Sequence, residues 1–99
     1  MITEHTVCAL PEGNVNYWHY AIKVAYRGDG LWAVLNGGFC LGADGEWDYE
    51  PSPSGRDDGW LATHRFDEAT ALRLAEEAAS TIEVNGFTVA EAMVARSRR

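Results

Sequence analysis

The chain has no stretch apolar enough to cross a bilayer. A spanning helix needs about 18 or more consecutive apolar residues, and every apolar run here is interrupted sooner by a polar residue, a charge or a glycine. Cysteine is scarce. Cys8 and Cys40 are the whole complement, far apart and without C-x₂₋₄-C spacing, which excludes a zinc ribbon and a disulfide-stapled scaffold. The first residues, MITEHTVCAL, lack the basic start and apolar block of a secretion signal. A reducing, cytoplasmic setting with two free thiols is therefore the expectation. Basic charge is scarce as well. Eight Lys and Arg stand against fifteen Asp and Glu, for a formal net charge of −7 in 99 residues. Three of those cations, Arg96, Arg98 and Arg99, lie in a short C-terminal tail, so the body of the chain is more acidic still. Such a body repels phosphate backbones, which makes nucleic acid a poor partner.

Catalytic signatures are missing too. There is no P-loop, no G-x-G-x-x-G and no nucleophile elbow. Cys40 and His64 are the one thiol–imidazole pair worth weighing, but Cys40 sits among apolar residues on an expected strand and reads as core packing. His5, His19 and His64 have no metal-ligand spacing. The acids from Asp44 to Asp58 fail the EF-hand pattern, because Gly45 directly follows Asp44. Neither a metal nor a cofactor is expected, and the chain reads as a non-enzyme. Arg27-Gly28-Asp29 is an RGD tripeptide, but the flanking pattern makes it a turn between strands.

What is present is a hydrophobic fraction of 46%, with four Trp, four Tyr and three Phe. That suffices for one packed core. Residues 1–15 read as a tail or edge segment with Val7 and Leu10 packed down, 16–95 as a single domain, and 96–99 as a basic tail. Tyr17 to Arg27 alternates with period two, placing Trp18, Tyr20, Ile22, Val24 and Tyr26 on one face. Leu31 to Asn36 and Phe39 to Leu41 follow as strands around Gly37-Gly38, a favoured hairpin pair. Asp44-Gly45 turns into Glu46–Glu50. PSPSGRDDG, residues 51–59, reads as the one long loop, and 60–66 either closes the sheet or leads into a helix. Asp67 is a good N-cap for that helix, with Ala69, Leu72, Ala75, Ala79 and Ile82 on its inner stripe. A short extended piece, Ile82 to Val84, leads to a turn at Asn85-Gly86. Thr88-Val89-Ala90-Glu91 fits a capping box opening a last helix, with Val89, Ala92 and Met93 inward.

Strands first and helices after predict an α+β fold. The expected architecture is a three- to four-stranded antiparallel meander, packed on one face by a C-terminal helix and followed by a short second helix. One helix covers one face, so aromatics are left over. Tyr17, His19 and part of the tryptophan set are candidates for an exposed patch, closed by a partner or in a homodimer. The densest chemistry is the run 46–60. Trp47, Tyr49 and Trp60 are candidate anchors there, with Asp48, Glu50, Asp57 and Asp58 steering a basic protein partner.

The succession W-x-V, G-E-W-x-Y-E-P-x-P, R-F-D-x-x-x-A-L-x-L-A and V-N-G-x-T-V runs through LWAVLNGGFCLGADGEWDYEPSPSGRDDGWLATHRFDEATALRLAEEAA and VNGFTVAEAM. It resembles small uncharacterised proteins of Streptomyces-type actinobacteria and their phages. The resemblance implies a bacterial or phage protein of the cytoplasm, and carries over no catalytic or binding residue. The β-β-β-α order is also similar to AP2-type DNA-binding domains. Those read DNA with basic and aromatic sheet residues. A nucleic-acid-binding βββα module using Lys23, Arg27 and the C-terminal arginines is therefore the alternative reading, on a sheet region that is acidic; an acidic nucleic-acid mimic, whose carboxylates occupy a basic groove, is another, and a small enzyme or metal site a lesser one.

Overall fold

The computed structural model describes residues 2–83 and 86–96. It is an α+β fold built on an antiparallel sheet of five strands in the order β1-β2-β3-β4-β5. The strands are β1 (Glu4–Val7), β2 (Ile22–Tyr26), β3 (Trp32–Asn36), β4 (Phe39–Leu41) and β5 (Trp47–Tyr49). The helices are α1 (Tyr17–Tyr20), α2 (Asp58–His64), α3 (Glu68–Ala79) and α4 (Val89–Arg96). The count exceeds the expected three to four strands because Glu4–Val7 pairs with β2, His5 opposite Val24 and Val7 opposite Ile22.

The long strand expected from Tyr17 to Arg27 is shorter, and begins at Ile22. Its first part is a single helical turn. Asn14 is responsible: its side-chain oxygen accepts from the Asn16 N–H at 2.7 Å and its carbonyl from the Tyr17 N–H at 3.1 Å. This local side-chain-to-backbone bonding competes with extended pairing. It leaves Trp18 and His19 on an exposed turn, while Tyr20 is buried. The RGD tripeptide is indeed a turn. Gly28, Asp29 and Gly30 all take positive φ, and the Leu31 N–H bonds the Gly28 carbonyl at 2.9 Å.

Registry sorts the side chains onto two faces. Val24 lies opposite Val34, and Leu41 opposite Trp47. His5, Val7, Ile22, Val24, Trp32, Val34, Leu41 and Trp47 therefore share one face, because alternation has period two. Helix α3 covers it. Ala71, Ala75 and Ala79 are buried against Ile22, Val24, Trp32, Val34 and Leu41. Small side chains let the helix axis approach the sheet closely. The expected stripe is rotated slightly: Ala69 is exposed and Ala71 takes its place. Asp67 caps the helix, its carboxylate accepting from the Thr70 N–H at 3.2 Å.

The opposite face carries Lys23, Ala25, Ala33, Leu35, Cys40 and Asp48. Ala33 and Cys40 are fully buried there, because the chain returns across this face. The expected loop 51–59 is only partly a loop. It holds a 3-10 turn at Pro53–Gly55 and the start of α2, whose N-cap Asp57 accepts from the Trp60 N–H at 2.7 Å. After α2, Phe66 pairs with Trp32 beside β3, through a 2.6 Å bond from the Trp32 N–H to the Phe66 carbonyl. The segment 60–66 is thus mostly helix and leads on to α3, touching the sheet through this one bridge. A second small core joins Leu10, Tyr20 and Ala92, with the Tyr20 hydroxyl donating to the Phe87 carbonyl at 2.7 Å. The capping box is formed: the Glu91 carboxylate accepts from the Thr88 N–H and the Thr88 hydroxyl from the Glu91 N–H, at 2.9 and 3.2 Å. The expected features at Val84, Asn85, Arg98, Arg99 and the Met93 side chain lie outside the described residues.

Candidate functional site

The run Glu46–Glu50 lies on and around β5, at the end of the sheet order. Its alternation divides the side chains between the two faces. Trp47 is half-buried beside the α3-covered core. Tyr49 is 73% exposed and meets Phe39, itself 50% exposed, edge to face with centroids 6.0 Å apart. These two aromatics stand on the same face as Trp47, past the reach of α3.

A groove of about 740 Å³ opens at the Gly37 end of the sheet. Trp18 and His19 of α1 line it together with Lys23, Phe39, Trp47 and Ile82. Trp18 is 73% exposed and makes a T-shaped contact with Tyr17 at 5.0 Å. The structure therefore brings Trp47 together with Trp18, His19 and Phe39. Trp18 and Phe39 were not singled out as anchors from sequence. The period-two reading assigned Trp18 to the core face of a strand, and Phe39 to a short strand with no marked exposure.

Trp60 stands elsewhere, against the opposite side of the molecule. Its ring stacks flat on His64, with centroids 4.1 Å apart and planes at 2°, and the Arg65 guanidinium lies 5.2 Å from its centre. The acids are mostly engaged within the protein. Asp48 Oδ2 meets His64 Nε2 at 2.8 Å. The Glu50 carboxylate, 14% exposed, gathers Arg65 at 3.0 Å, Arg56 at 3.4 Å and Arg27 at 4.0 Å. Asp57 is the α2 cap, and Asp58 sits in the first turn of that helix, where negative charge complements the backbone dipole. Of the four steering acids, Asp48, Asp57 and Asp58 are exposed and Glu50 is not. Glu46 and Asp44 add further exposed charge at the turn before β5.

Cys40 and His64 are close in space, but the ring of His64 turns away from the thiol. Its Nδ1 lies 2.8 Å from the Trp60 carbonyl and its Nε2 faces Asp48, while Cys40 Sγ meets the His64 carbonyl at 3.8 Å and the Arg65 guanidinium at 3.7 Å. Burial pushes the Cys40 thiol up from its ordinary range, and the Glu50 carboxylate adds to this. A nucleophilic thiol needs the opposite environment. Gly42 fits tightly against this cluster. A Cβ there would stand 3.1 Å from His64 Nε2 and 2.9 Å from Asp44 Oδ1.

Among the described residues, no three His, Cys, Asp or Glu side chains stand close enough together to hold a metal ion. Among them, too, no helix is long and apolar enough to cross a membrane. No family model, curated protein or solved structure matches the chain.

Proposed function

We propose that this protein is a small, non-enzymatic interaction module of the cytoplasm that binds a protein partner through its aromatic groove and the neighbouring acidic edge. The observation that carries this reading is the pair Trp18 and Phe39, each half or more exposed, on a groove that also reaches Trp47, with the exposed Tyr49 ring edge to face with Phe39. Large aromatics held in water beside a concavity are what interface anchors look like before their partner arrives. The charge of the chain favours a basic partner: its net charge is −7, and Asp44, Glu46 and Asp48 are exposed on and before β5. Of the residues proposed from sequence, Trp47 and Tyr49 belong to the aromatic face, and Asp48 to the opposite face of the same strand. Glu50 and Trp60 are engaged by neighbouring side chains, and Asp57 and Asp58 are exposed at the start of α2. Nucleic acid suits the site poorly, because Lys23 and Arg27 are paired with Glu4 and Glu50.

The test is co-purification from a bacterial lysate with the wild-type chain and a Trp18→Ala, Phe39→Ala variant. Both positions are exposed, so the variant should keep its circular dichroism. Capture by the wild type, lost in a folded variant, is the expected result. Equal capture by both would sink the placement.

A further inference from the structure

The β5 strand ends the sheet with an open edge, and its hydrogen-bond phase can be read. The Gly42 N–H bonds the Glu46 carbonyl at 2.9 Å, and the Glu50 N–H bonds the Gly38 carbonyl at 3.0 Å. In an antiparallel ladder the residues whose backbone groups face one neighbour recur at every second position. Glu46, Asp48 and Glu50 therefore address β4. The N–H and C=O groups of Trp47 and Tyr49 point outward, and among the described residues no strand lies beyond them.

We infer that an extended segment of the partner adds to β5 as a sixth strand, and that its side chains alternate basic and apolar. This deepens the proposed binding reading and rests on it. The register dictates the chemistry. Side chains of an added strand that fall on the Trp47–Tyr49 face would meet those rings and Phe39, and would lead towards the groove that Trp47 shares. Side chains on the other face would meet Glu46 and Asp48. Asp48 is bonded to His64 through Oδ2 only, and Glu46 is exposed. Opposite charges directly across a ladder stabilise pairing and like charges oppose it. That same rule disfavours a second copy of this chain as the occupant. Antiparallel β5–β5 pairing centred on Asp48 would set Asp48 against Asp48 and Glu46 against Glu50. Backbone bonds then supply affinity, and alternate side chains the specificity.

The test uses a short synthetic peptide of alternating lysine and valine, titrated into the full chain at low salt, with amide hydrogen exchange as the second readout. Saturable binding with new protection at the Trp47 and Tyr49 amides is expected. A peptide of the same composition with its lysines in one block should bind about tenfold or more weakly, since it cannot match the alternation. Tyr49→Pro should abolish the binding while leaving the fold intact, because proline removes an outward-facing donor and no bond to β4. Tyr49→Ala, which keeps that donor, should retain part of it. Glu46→Lys should reverse the preference towards a glutamate–valine peptide. The inference is overturned by no saturable binding, by binding without protection of those two amides, or by equal binding of the block peptide. A lysate partner lost with Trp18→Ala, Phe39→Ala but kept by Tyr49→Pro would overturn strand addition alone. Loss of neither would overturn the binding reading as well.

Discussion

At the scale of single residues, the acids of this chain have unequal jobs that their identities do not disclose. Glu50 is the clearest case. Its carboxylate is the common partner of Arg27, Arg56 and Arg65, and the Arg65 side chain is only 4% exposed. Removing the carboxylate leaves a buried guanidinium without its counter-charge. Glu50→Ala is therefore expected to cost about 3 kcal/mol in urea unfolding, whereas Asp58→Ala, at an exposed position, should change stability far less. Equal small losses in both would show that the arginine cluster is not a structural unit. Burial makes a second distinction between the two thiols. Cys40 is wholly enclosed and Cys8 only partly, and burial raises both from their ordinary range. In native protein at neutral pH a thiol reagent should react slowly with Cys8 and hardly at all with Cys40 until the chain is unfolded. Fast reaction of Cys40 would mean that the second face opens readily. The sequence could not separate these roles. Asp48, Glu50 and Asp57 look alike in an acidic stretch, and what distinguishes them is contact with His64, Arg65 and a helix start, all set by the return of the chain across the sheet. That Trp47 and Tyr49 share one face, with the acids on the other, could be read from alternation alone.

At the scale of elements, legibility followed how local the determining bonds are. Helix α3 was readable because its cap and stripe lie within its own residues, from Asp67 to Ala79. The Thr88–Glu91 capping box was readable for the same reason. Helix α2 was hidden because proline, glycine and serine just before it signal a loop, and the cap, Asp57, is embedded in them. The segment Tyr17–Tyr20 misled in the other direction: its alternation is that of a strand, but the Asn14 side chain folds the preceding backbone into a turn. Strand β1 shows little in sequence because an edge strand needs only one half-buried face. The cap of α3 also gives a pH signature. The Asp67 carboxyl is held below the usual carboxylate range, first by the Thr70 hydroxyl at 2.6 Å and then by the Thr70 N–H. A depressed folded value stabilises above the unfolded value and is lost as pH falls through the folded one. The stability gap between wild type and Asp67→Ala should thus be full near about pH 6 and shrink towards about pH 3. Thermal unfolding of both proteins across that range measures it. A gap that stays constant would assign the cap's effect to geometry rather than charge.

For the whole molecule, the question is what opposes self-pairing of a sheet whose outer strands, β1 and β5, each have one strand neighbour among the described residues. Exposed edges are templates for further strands, and proteins commonly protect them with charge. Here the protection is global as well as local. The chain carries a net charge of −7 and has an isoelectric point near 4.7, and the β5 edge is flanked by Glu46, Asp48 and Asp44. Two copies approaching edge to edge bring like charge to like, while a basic segment is drawn in by the same field. The homodimer left open by the aromatic count is thus opposed at this edge by the same acids that the proposed binding reading assigns to a basic partner. Sedimentation velocity in neutral, low-salt buffer should show a monomer. Acidification towards the isoelectric point removes the repulsion, and larger species should then appear, later for a Tyr49→Pro chain whose edge has lost a donor. A concentration-independent dimer at neutral pH would mean that the aromatic surface is already covered by a second copy, and that the partner must be sought on another face.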